Sequence, residues 1–384
     1  MKVSKFMKLE LVATCLFGLE KLLGEEIDAL GYKRIETMDG RITYEGDERA
    51  VFVSNLNLRF AERVFIKLGS FKAESFEELY EGTALLPWEN FISKDDAFPV
   101  KGHAIRSALF SVPDCQSIVK KAVVNRLANI YNIRWFAEEG VKYQIEFFIF
   151  KNIATLMIDT SGIALHKRGY RIEAGAAPLR ETLAAAVAAI SRPREDVLFW
   201  DPFCGSGTIA IEAALMMTKT APGIARHFAC EKFDILADGV IAKEERARAF
   251  AAIDQDTTFE AYASDIDPAV LEIAKQNAER AGVDDRIKFF EADARKIKKL
   301  DRRGTIVCNP PYGERLMSEK EVMTLYREVG KAFSDLSPWQ IYVLTSAENF
   351  QTLYGRRADK VRKLYNGMIP CMLYQYFKNN TFNK

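Results

Sequence analysis

The stretch from Val197 to Met217 constrains this chain more than any other. Asp196 leads into the continuous apolar run Val197-Leu198-Phe199-Trp200. Asp201-Pro202-Phe203-Cys204-Gly205-Ser206-Gly207-Thr208 follows, and then an apolar helical run, Ile209 to Met217. A strand without polar alternation is one covered on both faces, as in the middle of a parallel sheet. Strand, glycine turn and helix in that order predict the cofactor site of a doubly wound α/β sheet.

The details of the turn narrow the cofactor. Gly205 and Gly207 are present, but Ala210 stands where a pyrophosphate-binding turn has its third glycine. Asp201 at the strand end suits an ammonium better than a phosphate, and Phe203 adds an apolar wall. A positively charged amino acid carried on a sulfonium fits that setting. The run Phe259 to Ser264 predicts the next strand, ending at Asp265-Ile266-Asp267-Pro268. Asp265 is placed for two ribose hydroxyls and Ile266 for one adenine face. Asp267 is expected to cap the following helix, with Pro268 at its first position. Arg286 to Phe290 predicts a third strand, after which Asp293 can accept from the adenine amine and the Ala294 amide can donate to the ring. The alternative for Asp293 is a solvated loop aspartate.

Asp201 and Asp265 lie 64 residues apart, against about 20 in an ordinary nucleotide fold. Residues near Thr218 to Thr258 therefore form an insertion, RNA-facing or simply packed. A fourth strand, Thr305 to Cys308, leads into Asn309-Pro310-Pro311-Tyr312, an amide, two rigid residues and an aromatic face at a strand end. Such a group suits gripping a flat ring with an exocyclic amine. Beyond it come a helix, a strand and a short helix. Lys360 to Tyr365 and Met368 to Phe377 then flank Asn366-Gly367, a strong hairpin signal. A parallel sheet finishing in an antiparallel hairpin is the class I methyltransferase arrangement.

The N-terminal half reads as strand (Lys8 to Thr14), helix (Gly18 to Leu30), hairpin around Asp39-Gly40 and helix (Glu48 to Leu58), a ferredoxin-like order. Mixed α and β continue to about Thr160. The expected elements are a helix from Phe76 to Leu86, a strand from Pro99 to Arg106, a helix from Asp114 to Arg126, and strands Val141 to Phe150 and Ile153 to Ile158. Net charge over the 384 residues is only +1, so affinity for nucleic acid must come from local patches. One lies between Val100 and Trp135, where Lys101, Arg106, Lys120, Lys121, Arg126 and Arg134 face a single acid, Asp114. These can meet phosphates, or form a solvated helix face. Ser161 to Ala177, with Gly162, Arg168, Arg171 and Gly175, predicts a connector that ends at Pro178 and either touches RNA or lies plainly exposed.

Six scattered cysteines without a CxxC pair, and three distant histidines, give no metal or disulfide pattern and fit a reduced, cytoplasmic setting. The apolar run Leu11 to Leu19 is flanked by Glu10 and Glu20 and lacks a small-residue cleavage site, so no signal peptide is expected. No run reaches the ~18 apolar residues of a membrane span.

Leu58-Arg59-Phe60-Ala61-Glu62-Arg63-Val64, Lys101-Gly102-His103 and the Ser117 to Leu127 helix together resemble the THUMP domain of RNA-modifying enzymes. The glycine turn, Asp-Ile-Asp-Pro and Asn-Pro-Pro-Tyr resemble class I S-adenosylmethionine-dependent methyltransferases acting on exocyclic amines. With Leu179-Arg180-Glu181-Thr182 and Gly313-Glu314-Arg315-Leu316 added, the chain is similar to bacterial 23S rRNA guanine-N2 methyltransferases. The resemblance implies four parts. They are a ferredoxin-like unit (1–62), a THUMP domain (63–160), a linker (161–177) and a methyltransferase domain (178–384) with a seven-stranded sheet. It also implies S-adenosylmethionine as cofactor, with Thr182 and Asn309 among its contacts, RNA as partner, no metal, and catalysis by Asn309 to Tyr312. The rival expectations are an adenine-N6 DNA methyltransferase and a non-catalytic ribosome-assembly factor.

Overall fold

The computed structural model describes residues 7–171, 179–312 and 318–377. Gly175, Pro178 and Gly313-Glu314-Arg315-Leu316, singled out above, lie outside the described residues. The chain divides into two compact units. Residues up to Thr14, Gly24–Leu165 and His227–Arg248 make the first; Cys15–Leu23, His166–Arg226 and Ala249 onward make the second.

In chain order the N-terminal half holds β1 (Leu9–Thr14), α1 (Glu20–Ala29), β2 (Arg34–Met38), β3 (Arg41–Gly46), α2 (Glu48–Asn57) and β4 (Arg63–Lys72). It continues with α3 (Phe76–Ala84), β5 (Val100–Ile105), α4 (Val112–Tyr131), β6 (Ile145–Phe150) and β7 (Ile153–Asp159). Local chemistry sets several ends. The Asp47 side chain accepts from Ala50 N at 2.8 Å to start α2, and Ser75 with Glu78 forms a capping box for α3. The hairpin predicted at Asp39-Gly40 joins β2 to β3, with Gly40 at φ +74°.

The described strands of this unit form one sheet of order β2-β3-β1-β4-β7-β6-β5. The ferredoxin-like and THUMP-like stretches are thus continuous, because β4 pairs with β1 on one side and β7 on the other. β4 has no counterpart among the expected elements, because a bulge between Lys67 and Gly69 breaks its alternation. Helix α4 is longer than expected. β6 starts at Ile145 rather than Val141, since the Val141 amide is held by the Asp96 side chain at 2.9 Å.

The C-terminal half holds α5 (Glu181–Ser191), β8 (Leu198–Asp201), α6 (Thr208–Met217), α7 (Val240–Ala251), β9 (Ala261–Asp265), α8 (Pro268–Ala281) and β10 (Ile287–Glu291). After these come β11 (Gly304–Cys308), α9 (Glu319–Ser334), β12 (Gln340–Thr345), α10 (Phe350–Tyr354), β13 (Lys360–Asn366) and β14 (Ile369–Tyr376). Its described strands order as β10-β9-β8-β11-β12-β14-β13, parallel through β12 and antiparallel at β14 and β13. The predicted doubly wound sheet with a closing hairpin is therefore present. Trp200, Tyr326, Phe333, Trp339, Phe350, Tyr354 and Tyr376 dominate its core. Burying each such ring contributes roughly 1.5–3 kcal/mol.

The insertion resolves into two parts. His227–Arg248 belongs to the first unit, where Phe228 meets Phe52 edge-on and Phe233 stacks on Tyr143 at 4.3 Å. Glu244 accepts from Arg49 at 2.7 Å, and Glu245 also pairs with Arg49. This part is packing. Among the described residues, all six cysteines are buried free thiols, no acid, histidine or cysteine cluster could hold a metal, and no helix is long and apolar enough to cross a membrane.

Candidate active site

Strand order reverses between β8 and β11, and the carboxyl ends of these strands are where an open α/β sheet binds ligands. The glycine turn is fixed there from several sides. The Trp200 indole donates to Ser264 Oγ at 2.9 Å, and Cys204 N donates to Ser264 O at 3.0 Å. Asn277 of α8 donates to Ser206 O at 3.0 Å. Gly207 takes φ +82°, and a Cβ there would lie 3.1 Å from Ala274 Cβ. Gly205, at φ +49°, has nothing within 4 Å on its open side. One glycine serves packing and the other leaves room.

Asp201 is the unusual group. It is 1% exposed; one carboxyl oxygen accepts from Phe203 N at 3.1 Å, and the other, Oδ2, is buried without a partner. Burial, with Asp265 adding repulsion, pushes its carboxyl well above the usual range. An orphaned acid beside an open glycine fits an incoming ammonium. Asp265 accepts from Gly205 N at 3.0 Å and from Asp267 N at 3.2 Å, so it braces the turn with acceptor positions left over. Asp267 caps α8 through Ala269 N at 2.8 Å, as expected. Ile266 is exposed.

Asp293 has a partner that the sequence did not suggest. Both its oxygens accept from the Arg295 guanidinium at 2.8 Å, and this pairing holds its carboxyl below the usual range. A bidentate arginine occupies one acceptor position on each oxygen and leaves the others of the carboxylate available. Ala294 and Thr182 are buried, and Phe203 packs on the core.

At the end of β11, Asn309 Oδ1 is buried and has no hydrogen-bond partner. Pro310 is buried too. The Pro311 carbonyl accepts from the Tyr326 hydroxyl at 3.0 Å, and that hydroxyl also bonds to Thr345 Oγ1 at 2.9 Å. Tyr312 is half-buried; burial first, and the neighbouring Cys371 second, push its phenol up, while the Asn366 side chain beside it acts in the opposite direction. Sequence reasoning missed Tyr326, Thr345, Asn366 and Cys371. They look like ordinary core and turn residues, and no local spacing links them to Asn309.

The expected RNA-facing residues separate into two groups. Lys101, Arg106 and Lys121 are exposed. Lys120 instead pairs with Glu138 and donates to Phe98 O at 3.1 Å, while Arg126 makes a bidentate pair with Glu89 at 2.6 and 2.7 Å. Arg168 is 3% exposed against fully buried Glu212, and Arg171 donates to Thr208 Oγ1 and to Leu179 O at 2.7 Å. Arg168 and Arg171 are deeply set braces, and Lys120 and Arg126 are partly buried and already paired with acids. Desolvated cations need acids, and the fold supplies them.

Residues 168–375 match the family described as RMKL-like, methyltransferase domain. Residues 10–65 match the RlmL ferredoxin-like domain and residues 73–159 the THUMP domain. Over 381 residues the chain is 44% identical to a Bacillus subtilis (strain 168) protein provisionally named RNA methyltransferase YpsC, covering 96% of each. It is 35% identical over 368 residues to ribosomal RNA large subunit methyltransferase K/L of Psychromonas ingrahamii, covering 94% of this chain and 49% of that longer one. Its fold matches SMU.472, provisionally called a methyltransferase and solved in complex with SAH. The TM-score is 0.90 and the identity 38%, covering 96% of this chain and 98% of that one.

Proposed function

Because the chain belongs to the family of RMKL-like methyltransferases, we propose that it is an RNA methyltransferase acting on an exocyclic base amine, guanine N2 of 23S rRNA. The observation that carries the reading is the buried, unpartnered Asn309 Oδ1 at the carboxyl end of β11. An amine conjugated to a base is a weak nucleophile, because its lone pair is delocalised into the ring. Asn309 Oδ1 and the Pro310 carbonyl accept its two hydrogens and so favour a pyramidal nitrogen. Tyr312 stacks on the base, a contact worth roughly 1–3 kcal/mol. S-adenosylmethionine supplies the methyl group as an already activated sulfonium. The protein's share is then to position it, with Asp201 meeting the ammonium and Asp265 the ribose. The proton leaves after transfer, so no strong base is required.

The target base must be unpaired or extruded to enter. RNA is favoured over DNA by the THUMP match at residues 73–159, and the large-subunit substrate by the ribosomal relative. Guanine over adenine rests on resemblance, since Asn-Pro-Pro-Tyr serves both bases. The test is parallel methylation of total rRNA and plasmid DNA with labelled S-adenosylmethionine, followed by mass analysis of the nucleosides. The expected product is N2-methylguanosine in large-subunit rRNA, with Asn309→Ala losing transfer while still binding RNA. Label in DNA alone would sink the reading.

A further inference from the structure

The β13–β14 hairpin turns at Asn366-Gly367, with Gly367 at φ +64°. Cross-strand pairing joins Leu364 to Cys371 and Asn366 to Ile369, so these four share one face of the ribbon. On that face Asn366 and Cys371 lie beside Tyr312. Lys363 and Tyr365 point to the opposite face. There Phe17 meets Tyr365 edge-on at 5.7 Å, and the Lys363 ammonium lies 5.4 Å from the Tyr365 ring centre. The Phe17 loop is seated closely: a Cβ at Gly18 would come within 2.8 Å of the Lys363 carbonyl.

Three apolar side chains here are left in water. Met368, at the turn, is 93% exposed, Phe17 53% and Ile369 41%. Lysines on β13 have an ordinary explanation, since charge protects an edge strand from pairing with other chains. That explanation does not extend to a bare thioether two residues from Asn366 and a bare ring against Tyr365, the chain neighbour of Asn366. Nor does turn chemistry ask for methionine after Asn-Gly.

We propose, resting on the RNA-methylation reading above, that this hairpin tip is a single-stranded RNA ledge: Phe17, Tyr365 and Met368 take the faces of the nucleotides flanking the target, and Lys363 meets their backbone. A base delivered to Tyr312 leaves its neighbours without a stacking partner, and an apolar side chain at the rim replaces what they lost. Aromatic faces with an interleaved cation are the chemistry that holds unpaired nucleotides without reading sequence. Duplex offers no base faces to such a surface, so single-stranded RNA is the occupant.

The test uses the full chain carrying Phe17→Ala and Met368→Ala together, with Phe17→Tyr and Met368→Leu as the conservative pair. Two substrates are used, total rRNA for methylation and a fluorescein-labelled single-stranded RNA of about ten nucleotides for binding by anisotropy. The double alanine variant should raise the KM for rRNA and weaken the oligonucleotide on the order of tenfold. Its affinity for S-adenosylhomocysteine and its melting temperature should stay at wild-type values, and the conservative pair should restore RNA affinity. Unchanged KM and unchanged oligonucleotide binding overturn the ledge. A rise in the KM for S-adenosylmethionine in place of RNA overturns it too, since the tip would then be shaping the cofactor site. If the wild-type chain methylates no rRNA, the functional reading fails by itself, and the oligonucleotide comparison still decides the ledge.

Discussion

The Tyr326 hydroxyl donates to the Pro311 carbonyl at 3.0 Å, tying the middle of α9 to the loop that carries Asn309 and Tyr312. Tyr326 is fully buried, its phenol pushed up to about 12 by desolvation, so it stays a donor across the working pH range. Prolines fix dihedral angles but not the position of a loop; this hydrogen bond anchors it. Tyr326→Phe should therefore lower kcat on the order of tenfold by loosening the loop, with the KM for S-adenosylmethionine unchanged. Steady-state kinetics with labelled cofactor would show it, and an unchanged kcat would remove the anchor from the account.

Asp201 gives a prediction of opposite signs for stability and binding. Its carboxyl is raised by burial, first, and by Asp265, second. A raised acid contributes stability that is fully present below its unfolded pKa and is lost as pH rises through its folded value. Asp201→Asn should thus raise the melting temperature of the ligand-free protein at neutral pH while weakening S-adenosylmethionine at least on the order of tenfold. In the wild type, cofactor affinity should improve as pH rises through the Asp201 titration. Calorimetry across pH checks both; equal affinity in the variant would take Asp201 out of the ammonium site.

The two glycines of the turn should fail differently. Gly205→Ala meets no atoms in the protein, so it should fold with a left-handed strain of about 1–2 kcal/mol and lose cofactor binding. Gly207→Ala adds the contact with Ala274 to a similar strain and should melt distinctly lower. Thermal melts with and without S-adenosylhomocysteine separate the cases. Equal melting temperatures would contradict the division of labour.

The basic residues are separated by salt. Lys101→Ala, Arg106→Ala and Lys121→Ala should each reduce the slope of log affinity against log salt by about 0.7 for single-stranded RNA. Arg126→Ala should leave the slope alone and destabilise by a few kcal/mol, because it strands partly buried Glu89. Salt titration of RNA binding, with a urea melt of each variant, tells them apart. A slope change at Arg126 would return it to the RNA surface.

Much of the catalytic unit was legible because its signals are local. Strand, turn and helix follow one another within a single short stretch of a doubly wound fold, and Asp201, Gly205 and Gly207 stand where that grammar puts them, while Asp265 stands at its strand end only after a long insertion. The cap at Asp267 and the Asn366-Gly367 turn are equally local, each set by the backbone needs of one or two residues. Charge counting along the chain was the weaker instrument. It grouped Arg126 with Lys121 because both are basic and near in sequence, although one faces Glu89 and the other solvent.

By itself, then, the sequence determined the sheet class, the glycine turn and the Asn309-Pro310-Pro311-Tyr312 loop at a strand end, since short-range periodicity and backbone geometry specify them. Only the tertiary structure decided which charges are partnered, which carboxylate is orphaned and what steadies Pro311 and Tyr312. Those depend on residues brought together over long separations, as Arg168 is to Glu212, Arg126 to Glu89 and Tyr312 to Asn366. Burial and hydrogen-bond satisfaction are properties of a packed surface, and no linear spacing encodes which of two like residues will meet its partner.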